Sequence, residues 1–256
     1  MVVLNVKGEN YDMQIEKNKV FKKSLSYINH EDIKSFFEQL LEKAPDYFYT
    51  TPASSSGKYH NYLSAGEGGL VYHTIAAVEF CNYLINLEHN KIHFSERELD
   101  LMIGSTLIHD LEKHGKDGSS HTIWEHPNCI AETVRSYKGT KILPDSELEF
   151  IAECVESHMG EWNESKRSSI QLKKPVQLHQ CIVHESDYLA SRKDIIVNLD
   201  NMSEIKEVPT IDTYVFDFGR HKGKSLKQVM EQDPSYIEWA KRDYGKEPLR
   251  TLLKQI

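Results

Sequence analysis

The chain has 256 residues, 39% of them apolar and 27% charged, with a formal net charge of -8. That composition supports a substantial core, and the negative balance excludes a protein that holds nucleic acid through a global positive field. No run approaches the roughly 18 apolar residues of a membrane span, the first residues lack the apolar stretch of a secretory leader, and none of the four Cys falls in a C-x-x-C pair; a cytoplasmic protein with reduced thiols and no membrane partner is expected.

Residues 1–28 alternate weakly and are expected to form an N-terminal arm or hairpin. From Asn29 the pattern turns helical, with Ile33, Phe36, Phe37, Leu40 and Leu41 at helical spacing and Pro45 as a stop. The stretch "YFYTTPASSSGKYHNYLSAGEGG" reads as a long loop of the kind that often carries function. Helical patterns follow over Leu70 to Leu87, and from Ser95, where Glu98 completes a capping box, to about Lys113 with Gly115 beyond. Others follow Pro127 through Ile130, Val134 and Tyr137, cover about Ser146 to His158, and run from Pro175 as a first helical residue to about Arg192. Strand-like runs are nearly absent from 30–192, so a mostly α fold is expected, a helical bundle over 29–200.

Past Pro209 the pattern changes. "TYVFDFGRHKGKSL" holds two short β-like runs around Gly219 and Gly223, and Ser225, Pro234 and Pro248 each open a short helical pattern. Residues 206–256 carry a net +2 against -10 for the rest. A boundary around 200–211 and a small α+β module over 211–256 are expected.

His109 and Asp110 stand side by side in "TLIHDLEKHG", about 100° apart on a helix, so both can reach an ion at the helix end. Further ligands must come from other helices: His73 in "GGLVYHT", His126 in "WEHP", His158 in "ESHMG" and Asp187 in "ESDYLA". His30, His89, His93 and His179 are expected to be ordinary surface or hydrogen-bonded histidines. Taken in order over about 73–192, with the loop from about 50 before them, "GGLVYHT", "LIHDLEK" and "SDYLASR" resemble the motif set of the HD phosphohydrolase superfamily. The resemblance implies an HD-type bundle in which His73, His109, Asp110 and Asp187 hold one divalent metal. His126 and His158 match the places of a second metal's ligands, with Asp110 bridging; Met159 stands where several two-metal relatives carry a second adjacent His.

Imidazole and carboxylate ligands suit Mn, Fe, Co, Ni or Zn; one or two ions are expected, Mn foremost, with Mg also compatible. The reaction class implied is hydrolysis of a phosphate ester or anhydride by activated water, with Asp110 orienting the nucleophile and Lys113 pairing with a substrate phosphate. Lys58, Tyr59, His60 and Arg192 are candidate substrate contacts; His121, Trp124, Trp162 and Arg192 flank the expected ligands, and His184, one turn before Asp187, is expected either to support a ligand or to be core. "ASSSGKYH" lacks the first Gly and the final Ser or Thr of a phosphate-binding P-loop.

"FDFGRHKGKSLKQV", over about 213–245, resembles the C-terminal module of exodeoxyribonuclease X-like proteins. Its hairpin would present Arg220, Lys222 and Lys224 beside aromatic rings, a pairing suited to single-stranded nucleic acid. The leading expectation is a phosphodiesterase or nuclease acting on an oligonucleotide, nucleic acid or cyclic nucleotide. The alternatives are a nucleotide phosphatase or triphosphohydrolase, with the module serving assembly into an oligomer, and a non-catalytic nucleic-acid-binding or regulatory protein.

Overall fold

The computed structural model describes residues 17, 19–54, 60–166, 168–197, 210–216, 218–244, 249–254 and 256. Of the expected N-terminal arm, residues 1–16 and 18 lie outside the described residues. Lys19–Leu25 of it is helical: a 3-10 turn at Lys19–Phe21 runs into α1 (Lys22–Leu25), and Phe21, Leu25 and Ile28 are buried in the main core.

α2 (Glu31–Glu42) is amphipathic and buries the face expected from its spacing, Ile33, Phe36, Phe37, Leu40 and Leu41. Each such side chain contributes roughly 1.5–3 kcal/mol by leaving water. α3 (Gly69–Ile85) and α5 (Glu96–Ile108) are different. Gly69 to Glu79 of α3 and Leu99 to Ile108 of α5 are buried without a break, so both helices run through the interior. A one-turn helix, α4 (Glu88–Lys91), joins them. α6 (His126–Arg135), α7 (Asp145–Glu156) and α8 (Leu178–Ala190) complete the bundle. α3 packs on α5 and α8; α5 also meets α2, α7 and α8; α6 lies on α7. α2 and α5 approach so closely that a Cβ on Gly104 would stand 1.8 Å from the Phe37 ring.

Two helix ends differ from the sequence expectation. α5 stops at Ile108 rather than near Lys113. Beyond it Leu111 N bonds to Ile108 O and Lys113 N to Asp110 O, three residues back, which tightens the chain into turns. α8 begins at Leu178, not Pro175, because Gln177 and Gln180 form a reciprocal cap there.

A second apolar cluster, separate from the first, joins Tyr214, Phe216, Leu226, Val229, Ile237, Leu249 and Leu252. It is built on α9 (Leu226–Gln232), α10 (Pro234–Asp243) and α11 (Leu249–Leu253). Ser225 caps α9 and Pro234 opens α10, as expected; Pro248 lies outside the described residues. The two β-like runs form no strand among the described residues, only one antiparallel bridge between Val215 and Ser225. Phe216 N bonds to Lys224 O and Gly223 N to Phe216 O, but the ladder ends at once because Ser225 already begins the next helix.

Candidate metal centre

Six side chains from separate parts of the bundle converge where α3, α5 and α8 meet the exits of neighbouring elements. His73 comes from the interior of α3, His109 is the C-cap of α5 and Asp110 follows it. His126 opens α6, His158 lies just past the end of α7, and Asp187 sits on α8. All but Asp187 are at most 3% exposed.

They divide into two triads, His73, His109 and Asp187, and Asp110, His126 and His158; within each, the ligand atoms all lie within 4.8 Å of one another. In the first, His73 Nε2 is 2.9 Å from Asp187 Oδ1 and 3.3 Å from His109 Nε2. In the second, His126 Nε2 is 3.1 Å from Asp110 Oδ1 and 3.2 Å from His158 Nε2. Asp110 faces both groups: Oδ1 is turned to His126 and His158, whereas Oδ2 stands 3.4 Å from His109 Nε2 and 3.8 Å from His73 Nε2.

The backbone sets the orientation of three rings. His109 Nδ1 donates to Thr106 O at 2.6 Å, His126 Nδ1 to Ile123 O at 2.8 Å, and His158 Nδ1 to Val155 O at 2.7 Å. A carbonyl can only accept, so each Nδ1 carries a proton, and Nε2 is the atom that can bind an ion once it carries none. The Nε2 atoms of His126 and His158 therefore face each other, and Asp110 Oδ1 is buried beside them without a hydrogen bond. Acceptors turned on acceptors in a buried space are costly unless a cation or protons lie between them. The donor set fits a divalent cation.

The carboxylates are held charged, and the imidazoles differ among themselves. Burial opposes ionisation of Asp110 and Asp187, but Lys113 and His109 around the first, and His109 and His73 around the second, hold both well below the usual carboxylate range. Burial also opposes a charge on His109, yet Asp110 and Asp187 outweigh it and raise its pKa to about 10. Burial, reinforced by His109 and His126, lowers the pKa of His158 to about 3, so that ring is neutral and ready to act as a ligand.

A cavity of about 570 Å³ opens onto the cluster, and Asp110, His126, His158 and Asp187 are among the residues that line it. Of the expected contacts, Lys113, His60, His121, Trp162 and Arg192 line it. Lys113 Nζ bonds to Asp110 Oδ2. His60 packs against His73 with ring centroids 5.0 Å apart, and burial together with His73 and Lys113 lowers its pKa to about 3. Lys58 and Tyr59 lie outside the described residues. Trp124 does not line the cavity; its indole N–H donates to Ile170 O at 2.9 Å. His184 stands behind the site, where its Nδ1 donates to His158 O at 2.7 Å. Gly160 makes this possible: its φ is +59°, and a Cβ there would stand 2.1 Å from the His184 ring.

Sequence reasoning missed Tyr47 and Tyr188. The Tyr47 hydroxyl donates to Gly115 O at 3.0 Å and accepts from His114 N at 3.1 Å, and its ring stacks on His114. It thereby pins the turn that carries Asp110 and Lys113. Tyr188 lines the cavity beside Asp187. The signals were available, an aromatic-rich loop and a ring next to an expected ligand, but neither residue type is diagnostic alone.

On the C-terminal cluster, Arg220 ion-pairs with Asp233 at 2.6 Å and lies over the Tyr236 ring, and Lys224 bonds to Gln232. Lys222 is exposed. Residues 216–243 match the family described as Exodeoxyribonuclease X-like C-terminal. No curated protein and no solved structure matches the chain. Buried His and Asp groups able to hold a divalent metal, a C-terminal segment similar to a nuclease-associated family, and the absence of any helix long and apolar enough to cross a membrane among the described residues are the findings on which function rests.

Proposed function

We propose that the chain is a divalent-metal-dependent phosphohydrolase of the HD type, acting as a phosphodiesterase or nuclease on nucleotide-containing substrates. The observation that carries this reading is Asp110, whose two carboxylate oxygens face different sets of imidazoles. His73, His109, Asp187 and Asp110 would hold one ion, and Asp110, His126 and His158 a second. Divalent ions in such a site supply Lewis acidity and a nucleophilic water at neutral pH. The chain's own residues do the rest. Lys113, held against Asp110 at the cavity wall, presents a positive charge to a phosphoryl oxygen. The backbone carbonyls of Thr106, Ile123 and Val155 keep the imidazoles in one tautomer. His60 and His121 close part of the wall around the scissile group.

The similarity over 216–243 favours a nucleic-acid substrate, and on this reading residues 211–256 form a separate docking module while 29–200 carry the chemistry. Since Asp233 engages Arg220, Lys222 and Lys224 are the better-placed of the three cations for a phosphate backbone. The test is a hydrolysis screen with Mn over mononucleotides, cyclic nucleotides and oligonucleotides, beside metal analysis of the purified chain. Turnover that Asp110→Asn abolishes, with metal content falling in parallel, supports the reading. A chain that binds no divalent ion and hydrolyses no phosphate ester refutes it.

A further inference from the structure

Trp162 lies just beyond the turn that follows α7, and Tyr188 is the neighbour of Asp187 on α8. Their rings are 8° from parallel, with centroids 5.5 Å apart. Arg192, one helical turn past Tyr188, places its guanidinium carbon 4.0 Å from the Tyr188 ring centroid and 5.9 Å from that of Trp162. The guanidinium is anchored rather than free to swing: Nε donates to Tyr188 O at 3.1 Å and Nη2 to Ser191 Oγ at 2.8 Å. Only two of its five N–H donors are used in these bonds, which leaves others for a phosphate oxygen.

All three residues line the cavity that Asp110 and Asp187 also line. Trp162 remains 45% exposed, so part of its indole is open to a ligand in the cavity it lines. Cavities of roughly 300–1,000 Å³ suit ligands much larger than a bare phosphate, and this one is about 570 Å³.

We propose that the Trp162–Tyr188–Arg192 cluster is a shelf for the base of a nucleotide, so that the site selects nucleoside phosphates, free or at the end of a strand, over inorganic and sugar phosphates. The inference rests on the phosphohydrolase reading and specifies its substrate class. Stacking accepts any base, because every base has a π face, so selection acts on the presence of a base more than on its identity.

The test titrates Mn-loaded full-length protein with a non-hydrolysable adenosine 5′-phosphonate and with the matching ribose phosphonate that lacks the base. Tryptophan fluorescence and calorimetry report binding. The adenosine ligand is expected to bind about tenfold to a hundredfold more tightly. Trp162→Leu should close that gap and Trp162→Phe should keep most of it. Trp124→Leu, outside the cavity, should leave it intact. A dinucleotide phosphonate that binds more tightly than the mononucleotide assigns the shelf to a strand end; equal binding assigns it to free nucleotides. Equal binding of the two monomeric ligands by the native protein, or an undiminished gap in Trp162→Leu, overturns the shelf alone. If neither ligand binds, the phosphohydrolase reading falls and the shelf falls with it.

Discussion

On the proposed function, cation binding at the first triad would be linked to a proton on His109. Because Nδ1 of this ring donates to Thr106 O, the proton retained by its raised pKa of about 10 sits on Nε2, facing Asp110 and Asp187. A divalent ion takes the same lone pair and must displace that proton. Between pH 6.5 and 8.5 the apparent cation affinity should therefore rise about tenfold per pH unit, or ~1.4 kcal/mol. The metal-free fold responds in the opposite sense. A histidine whose folded pKa is raised contributes stability in full below its unfolded pKa near 6.5, and loses it as pH climbs through about 10. Asp110 and Asp187, held well below the carboxylate range, contribute stability that is lost only on acidification, outside this window. The difference in Tm between Mn-saturated and EDTA-treated protein should thus widen with pH, by roughly 3–6 °C per unit at fixed free Mn for a chain of this size. Calorimetric titrations at pH 7.5 in buffers of different ionisation enthalpy should show about one proton released by the first cation. A Tm difference that stays constant from pH 6.5 to 8.5, with heats independent of the buffer, refutes the reasoning.

His184→Ala removes the N–H that holds His158 O, and should weaken the second cation by about 10- to 100-fold while the first stays bound; metal analysis at limiting Mn reads this, and unchanged stoichiometry and affinity would count against a positioning role. Gly104→Ala puts a methyl where the Phe37 ring lies, 1.8 Å away, so the ~1 kcal/mol helix preference of Ala is outweighed by a strain of roughly 1–3 kcal/mol or more; a Tm lower by several degrees is expected, and a raised Tm would show that α2 can move aside. Deletion of 206–256 should impair oligonucleotide turnover and spare mononucleotide turnover, whereas equal loss on both would argue against a docking module.

The parts of the molecule legible in its sequence are those whose signals are periodic or local. α2 showed its buried face, α3 and α5 their helical patterns, and Ser95 its cap, because spacing and capping depend on residues within a turn or two of each other. The six convergent His and Asp were also legible, but from their order along the chain and a resemblance rather than from periodicity. What the pattern concealed depends on partners distant in sequence. Apolar spacing carried α5 on toward Lys113; in the structure Tyr47, more than sixty residues earlier, binds Gly115 O and stacks on His114, and the unwound turn between Ile108 and Gly115 is what lets Asp110 face two sets of imidazoles. Arg220 read as a free cation, but Asp233 engages it from across the next helix. His184 looked like a core residue or a more distant support of the site; only a glycine at positive φ lets its ring reach the His158 carbonyl, and neither residue signals the other in sequence. The three imidazoles also share one orientation, with Nδ1 turned to the backbone. Each Nδ1 bonds a carbonyl three residues earlier, a link that forms where regular helix begins or ends and that no apolar pattern records. The orientation of the three rings is therefore set at helix ends: Thr106 and Val155 lie in the last turns of α5 and α7, where carbonyls lack helical partners, and Ile123 lies just before α6.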